Sequence, residues 1–121
     1  MSEWKEYKLE DIANVQTGPF GSILKEGDIV FSRVGSVDRS SYISIKEDGW
    51  MFSGRCLRVR SNEKVYPKFL SYYFNQENFR EHIRRIAVGA TMPSINTSIL
   101  SQVKTKRPRS QKLSTFKFIQ I

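Results

Sequence analysis

The side chains of this sequence best suited to chemistry are cations and hydroxyls set among glycines and strand-like runs. Arg33 and Arg39 flank the loop that starts at Gly35, and Arg55, Arg58 and Arg60 share one alternating run. Thr91 and Ser94 lie in a polar loop after Gly89, and Lys104, Lys106 and Arg107 precede Pro108. An arginine fork can bind guanine bidentately, and a hydroxyl can bond a base edge or a phosphate. Lysines near a strand end suit phosphates rather than bases. The set therefore fits a polyanion such as a nucleic acid, whose phosphates would take the cations. Taken singly, solvated surface or a structural salt bridge is the commoner role for each residue.

Charge supports the same partner without identifying it. The 121 residues carry a net charge of +8. Residues 1–50 hold 6 Lys/Arg and 9 Asp/Glu, a balance of −3, whereas residues 51–121 hold 14 and 3, a balance of +11. Such asymmetry predicts a basic face suited to a polyanion.

Catalytic constellations are missing from the pattern. His82 is the single histidine, which excludes a multi-histidine metal site, and Cys56 is the single cysteine, so no internal disulfide forms. Arg55 and Arg58 beside Cys56 would favour a thiolate, but a small buried strand residue is the simpler role. Glu3-Trp4-Lys5 and Glu6-Tyr7-Lys8 have a nuclease-like Glu-x-Lys form without the preceding aspartate. Asp28, Asp38, Glu47 and Asp48 offer carboxylates for magnesium, yet all fall where turns are expected. No phosphate-binding glycine loop precedes a lysine, and Gly18-Pro19-Phe20-Gly21 is not a dinucleotide fingerprint. The expectation is a non-enzyme with no cofactor and no metal. The polar start, the lone cysteine and the lack of a long apolar run point to the cytoplasm and to no membrane contact.

The elements that must position these groups follow from periodicity. Trp4 to Leu9 alternates as an edge strand, Leu9–Ala13 suits one helical turn, and Asn14–Gln16 a second strand. Thr17–Ser22 is a loop in which Gly18 and Gly21 can take positive φ. After a tight turn at Gly27-Asp28, a strand carries Ile29, Val30, Phe31 and Val34. Residues 35–41 form a loop, Tyr42–Ile45 a strand, Asp48-Gly49 a hairpin turn, and Trp50–Arg60 the next strand. In that run Cys56, Arg58 and Arg60 share one face, opposite Leu57 and Val59. From Pro67 the period turns helical, with stripes at Phe69, Leu70, Tyr73, Phe74 and then Phe79, Ile83, Ile86, Ala87 around a break at residues 75–78. Arg84 and Arg85 suit the last turn of the second helix, and Gly89 its left-handed cap. Asn96 or Thr97 caps a short turn through Leu100, and Val103–Lys106 extends to Pro108. Strands first and helices later make an α+β domain.

Three segments, in this order, resemble the target recognition domain of the DNA-specificity (S) subunit of type I restriction-modification systems. The first is Trp4-Lys5-Glu6-Tyr7-Lys8-Leu9-Glu10-Asp11-Ile12-Ala13, followed by Gly18-Pro19-Phe20-Gly21-Ser22. The second is Gly27-Asp28-Ile29-Val30-Phe31-Ser32-Arg33-Val34-Gly35-Ser36. The third is the helical pair and closing segment from Phe69 to Pro108, above all the polar loop, capped turn and brief strand between Gly89 and Pro108. The resemblance implies a single α+β domain, a mixed twisted sheet or partial barrel with a short helical pair, over residues 1–108. It implies a non-catalytic module that reads half of a split DNA target. Its partners would be methyltransferase (M) subunits and the restriction (R) subunit. S-adenosylmethionine, ATP and Mg would belong to those partners. Two departures stand out: only a few residues separate Ser22 from Gly27, and residues 109–121 keep a trace of the stretch where a spacer helix would begin. The resemblance thus implies a truncated or half-subunit form. Its apolar Phe116, Phe118, Ile119 and Ile121 would need to pack or to pair in a homodimer. A remnant that docks on the M subunit without reading DNA is the alternative.

Overall fold

A computed structural model of the chain describes residues 4–18, 23–89 and 91–108. The first and last strands close the domain on itself. Strand β1 (Trp4–Lys8) pairs antiparallel with β6 (Lys104–Pro108), in a register that sets Tyr7 against Thr105. The strand expected from Trp4 to Leu9 forms over Trp4–Lys8, and Leu9 instead begins a single helical turn, α1 (Leu9–Ile12). Its first amide donates to the Val103 carbonyl at 2.8 Å, which docks the turn beside the closing segment. Leu9 and Ile12 are both fully buried.

The second sheet has the order β2-β5-β3-β4, with β2 at Ala13–Thr17, β3 at Ile29–Ser32, β4 at Ser40–Tyr42 and β5 at Cys56–Ser61. Every pairing of named strands is antiparallel, and the two sheets do not join into a closed barrel. Register places Val15, Val59, Ile29 and Tyr42 in one row, and Gln16, Arg58, Val30 and Ser41 in the adjacent row on the opposite face. The apolar rows carry the core. Helices α2 (Pro67–Phe74) and α3 (Glu77–Ile86) contribute Phe69, Leu70, Phe74, Phe79 and Ile83 to it. Phe31 meets the Phe74 ring at 5.0 Å and the Phe79 ring at 6.4 Å, so β3 is tied to both helices through one aromatic cluster. Full burial of such side chains stabilises by about 1.5–3 kcal/mol each.

The α+β class and the helical pair are therefore as expected, with Pro67 at the first turn of α2. The strand pairing differs in the middle of the chain. The turn at Asp48-Gly49 is present, but it does not join two paired strands, because β3 lies between β4 and β5. Ile45–Glu47 is a 3₁₀ turn, and strand structure resumes at Cys56 rather than Trp50. Exposure explains this: Trp50 and Met51 are 60% and 65% exposed, so no burial holds them in a ladder. Phe31 and Ile29 are buried and belong to the strand paired on both sides.

Two glycines serve other ends than those expected. Helix α3 ends at Ala87 in an extended conformation, so Gly89 does not cap it. Gly89 has φ +105°, and a Cβ there would lie 2.7 Å from the Met92 carbonyl oxygen, so it closes the tight loop that follows. Gly18 is not in the left-handed region; a Cβ there would lie 2.5 Å from the carbonyl oxygens of Phe52 and Ser53, so it permits a close backbone approach. Asn96 is the cap of α4 (Thr97–Ser101), its side chain accepting from the Ile99 amide at 2.8 Å. Gly21 and residues 109–121 lie outside the described residues. Among the described residues no helix is long and apolar enough to cross a membrane.

Candidate nucleic-acid interface

Where β3 ends and β5 begins, three loops are stitched together by backbone hydrogen bonds. The Arg33 amide donates to the Arg55 carbonyl at 2.9 Å, and the Ile95 amide donates to the Arg33 carbonyl at 2.9 Å. The Gly35 amide donates to Pro93 at 2.8 Å, and Val88 and Ser94 exchange a reciprocal pair at 2.9 and 2.8 Å. Residues 33–39, 52–55, 88–89 and 91–96 thus form one ledge at the end of the sheet. A shallow cleft of about 360 Å³ opens on it, lined by Arg33, Val34, Gly54, Arg55, Ser94 and Asn96 among others.

The ledge combines positive charge, hydroxyls and exposed apolar contacts. Arg33 is half-buried and donates through Nη1 to the Gly54 carbonyl at 3.1 Å, which fixes its direction. Arg39 and Arg55 are exposed, with no side-chain partner among the described residues. Thr91 is exposed, and the Ser94 hydroxyl donates to Val88 at 3.3 Å while its oxygen can still accept. Val34, Val88 and Met92 are 39%, 61% and 62% exposed; Val34, expected as an apolar residue of the strand, lies past the end of β3. Such a surface offers a polyanion two free guanidinium forks, one braced fork and a rigid backbone platform.

The other expected residues go elsewhere. Arg60 makes two bonds of 2.8 Å to Asp28, whose side chain is 2% exposed. Those bonds raise the Arg60 pKa above its ordinary value against the opposing effect of burial. Arg58 is 7% exposed and bonds Asn14, so it belongs to the outer face of the sheet rather than to the ledge. Burial lowers its pKa, and the neighbouring Arg60 charge adds to the effect. Lys104 pairs with Glu6 at 3.4 Å, and Lys106 lines a separate cleft with Phe69, Tyr73 and Phe79 near the start of α3. The ten-residue α3 separates that region from the ledge by roughly 15 Å. Arg107 lies in β6 opposite Lys5. The structure therefore brings together Arg33, Arg55 and Ser94, keeps Arg39 and Thr91 on the same loops, and sets the other five apart.

The carboxylates weighed for magnesium are each engaged. Asp28 holds Arg60, Glu47 accepts from the Ser44 amide and hydroxyl, and Asp48 accepts from the Glu26 amide at 2.7 Å. Asp38 accepts from Arg80 at 2.9 Å and from Arg84 at 2.7 Å, which clamps the loop before β4 onto α3. Arg84, expected to serve its helix terminus, thus braces the ledge and also bonds Glu77. Among the described residues, no three His, Cys, Asp or Glu side chains group to hold a metal ion.

Asp38 gives the clamp a pH dependence. Burial pushes its carboxyl up, but the bonds from Arg80 and Arg84 outweigh this and hold it below its ordinary value of 3.8. A carboxylate lowered by folding stabilises fully above its unfolded pKa, and that stabilisation is lost as pH falls through the lower folded value. The difference in urea midpoint between the native protein and Asp38→Asn is therefore expected to be largest near neutral pH. It should shrink as pH falls below about 4. A difference that grew on acidification would rule out the clamp.

No protein-family model and no curated protein matches this sequence. Solved structures do match. The S subunit of a type I restriction-modification system from M. genitalium superposes with a TM-score of 0.72 at 13% identity, over 92% of this chain and 35% of that one. The HsdS subunit from Thermoanaerobacter tengcongensis gives 0.68 at 12% identity, over 88% and 33%. A chain from work on complex assembly and conformational transition of the type I R-M system gives 0.68 at 12%, over 88% and 34%. The chain spans about a third of the length of these subunits, and at this identity the likeness is one of fold. In fold, this chain is similar to about a third of a type I restriction-modification S subunit.

Proposed function

We propose that this chain is a target-recognition module of a type I restriction-modification specificity subunit, gripping duplex DNA through the ledge and performing no chemistry itself. The observation that carries the reading is the convergence of three loops on one ledge bearing Arg33, Arg55 and Ser94, with Arg39 and Thr91 on the same loops. The fold likeness and the basic second part of the chain support it. Arg55 and Arg39 reach phosphates or guanine edges, braced Arg33 reads at fixed direction, and Thr91 and Ser94 bond bases or phosphates. Lys104, Lys106 and Arg107 are secondary phosphate contacts on a neighbouring surface. The module works in the cytoplasm with M subunits, which bring S-adenosylmethionine and methylate the DNA, and with the R subunit, which uses ATP and Mg.

Selection from a pool of random duplexes, with and without the M subunits, tests this. A defined half-site is expected to be enriched, with log K falling against log salt at a slope near −4.5 if about five phosphates are neutralised. Arg55→Ala should make the slope shallower by about 0.9 if the residue meets a phosphate, with the urea midpoint unchanged. Absence of any enriched sequence in both conditions would sink the proposal.

A further inference from the structure

The outer face of the four-stranded sheet carries a buried cation that the ledge does not use. Arg58 lies between Gln16 on β2 and Val30 on β3, with Arg60 two residues further along β5. It is only 7% exposed, and its Nε is buried without a hydrogen-bond partner. A buried guanidinium with an unmet donor is destabilising, and such a group calls for a physical account. Among the described residues its side chain bonds Asn14, from Nη2 to Oδ1 at 2.6 Å. Asn14 itself is exposed.

That bond orients the amide. A guanidinium can only donate, so the atom of Asn14 facing it must be the carbonyl oxygen. The amide nitrogen is then turned away from Arg58, and its hydrogens meet no partner among the described residues. An asparagine that reads adenine uses its oxygen and nitrogen together. Here the oxygen is committed to Arg58, leaving a pair of donors suited to acceptors on a base edge. Guanine O6 and N7 and thymine O4, all in the major groove, are such acceptors. Register sets Asn14 opposite Arg60, five residue steps along the chain from Arg55, about 17 Å, or about five base-pair steps.

We infer that Asn14 is a base-reading residue for guanine or thymine, held by Arg58 with its amide donors turned outward. This rests on the DNA-recognition reading above. Arg58 is then a positioning residue, and its burial keeps the amide from swinging free.

Duplex selection with the protein assembled with its M subunits tests the assignment. Asn14→Asp keeps an oxygen for Arg58 in the same shape but removes both outward donors. It is expected to lose about 10-fold of the preference for guanine or thymine at one base pair, with the other positions unchanged. Arg58→Met is expected to loosen the preference at that same base pair, a coincidence that a merely structural role would not produce. If Arg58→Met does not fold, Asn14→Asp decides alone. An Asn14→Asp motif identical to the native one overturns the assignment, as does a loss spread evenly over all positions. A folded Arg58→Met protein with an unchanged motif overturns the positioning role. Native protein that enriches no sequence brings down the DNA-recognition reading as well, so the failures are distinguishable.

Discussion

Phe31→Ala is expected to destabilise the domain by about 4 kcal/mol, the largest effect of any single truncation considered. The ring is fully buried, in the strand that pairs with both β4 and β5. It meets Phe74 edge-on at 5.0 Å and Phe79 at 6.4 Å, and those two rings are 4.8 Å apart. Removing it opens a cavity at the one place where the sheet and both long helices meet. Against a total stability of about 5–15 kcal/mol for a domain, this leaves little margin. The melting temperature should fall by roughly 15 °C. Phe31→Leu should cost much less, since it leaves a smaller cavity. Equilibrium urea unfolding measures both. A loss below about 1 kcal/mol for the alanine variant would mean the cluster is not the keystone described. Arg33 lies two residues beyond Phe31, so partial unfolding here would also disorder the ledge.

Arg60→Ala is expected to cost about 3 kcal/mol through the charge it leaves behind. The Asp28 side chain is 2% exposed and holds the Arg60 fork at 2.8 Å through both oxygens. Without Arg60, its remaining bond is the Lys25 amide at 2.8 Å. Arg60 is itself partly exposed, at 32%, so water recovers part of the loss and keeps it at the low end for a buried pair. Combining Arg60→Ala with Asp28→Asn should restore some stability, because the stranded charge disappears with its partner. A double-mutant cycle in urea reads this directly. A coupling near zero would place the pair among ordinary surface bridges. The contrast with Arg55 is one of partners: Arg60 is tied to Asp28, whereas Arg55 is exposed with no side-chain partner among the described residues.

Arg58 and Arg60 mark the limit of what a local pattern can determine. Alternation along residues 56–60 assigned Arg58 and Arg60 to the face opposite Leu57 and Val59, and the register bears this out. Alternation cannot say whether that face meets solvent. Asp28 lies 32 residues before Arg60, and Asn14 lies 44 before Arg58, so both partners are invisible to local pattern. The same holds for Asp38, whose turn-like setting gave no sign of the α3 arginines 42 and 46 residues away. The hairpin expected at Asp48-Gly49 failed for a related reason. A turn signal states that the chain reverses, not which strands it then pairs.

Local physics alone settled a good deal. Hydrophobic period marked the two helices, the strand β1 and the apolar face of β5, and an apolar run located β3, because 3.6- and 2-residue repeats arise from backbone geometry within one segment. Capping chemistry narrowed the start of α4 to two neighbouring residues. Composition located the positive charge in the second part of the chain. Tertiary structure decided the strand order, the pairing of both ends of the domain, and which cations stay free. Those outcomes depend on which distant segments bury each other's apolar faces, and on which carboxylate each arginine then meets. The ledge is the clearest case: Arg33, Arg55 and Ser94 are far apart along the chain and become one surface only when backbone amides from three loops find each other's carbonyls.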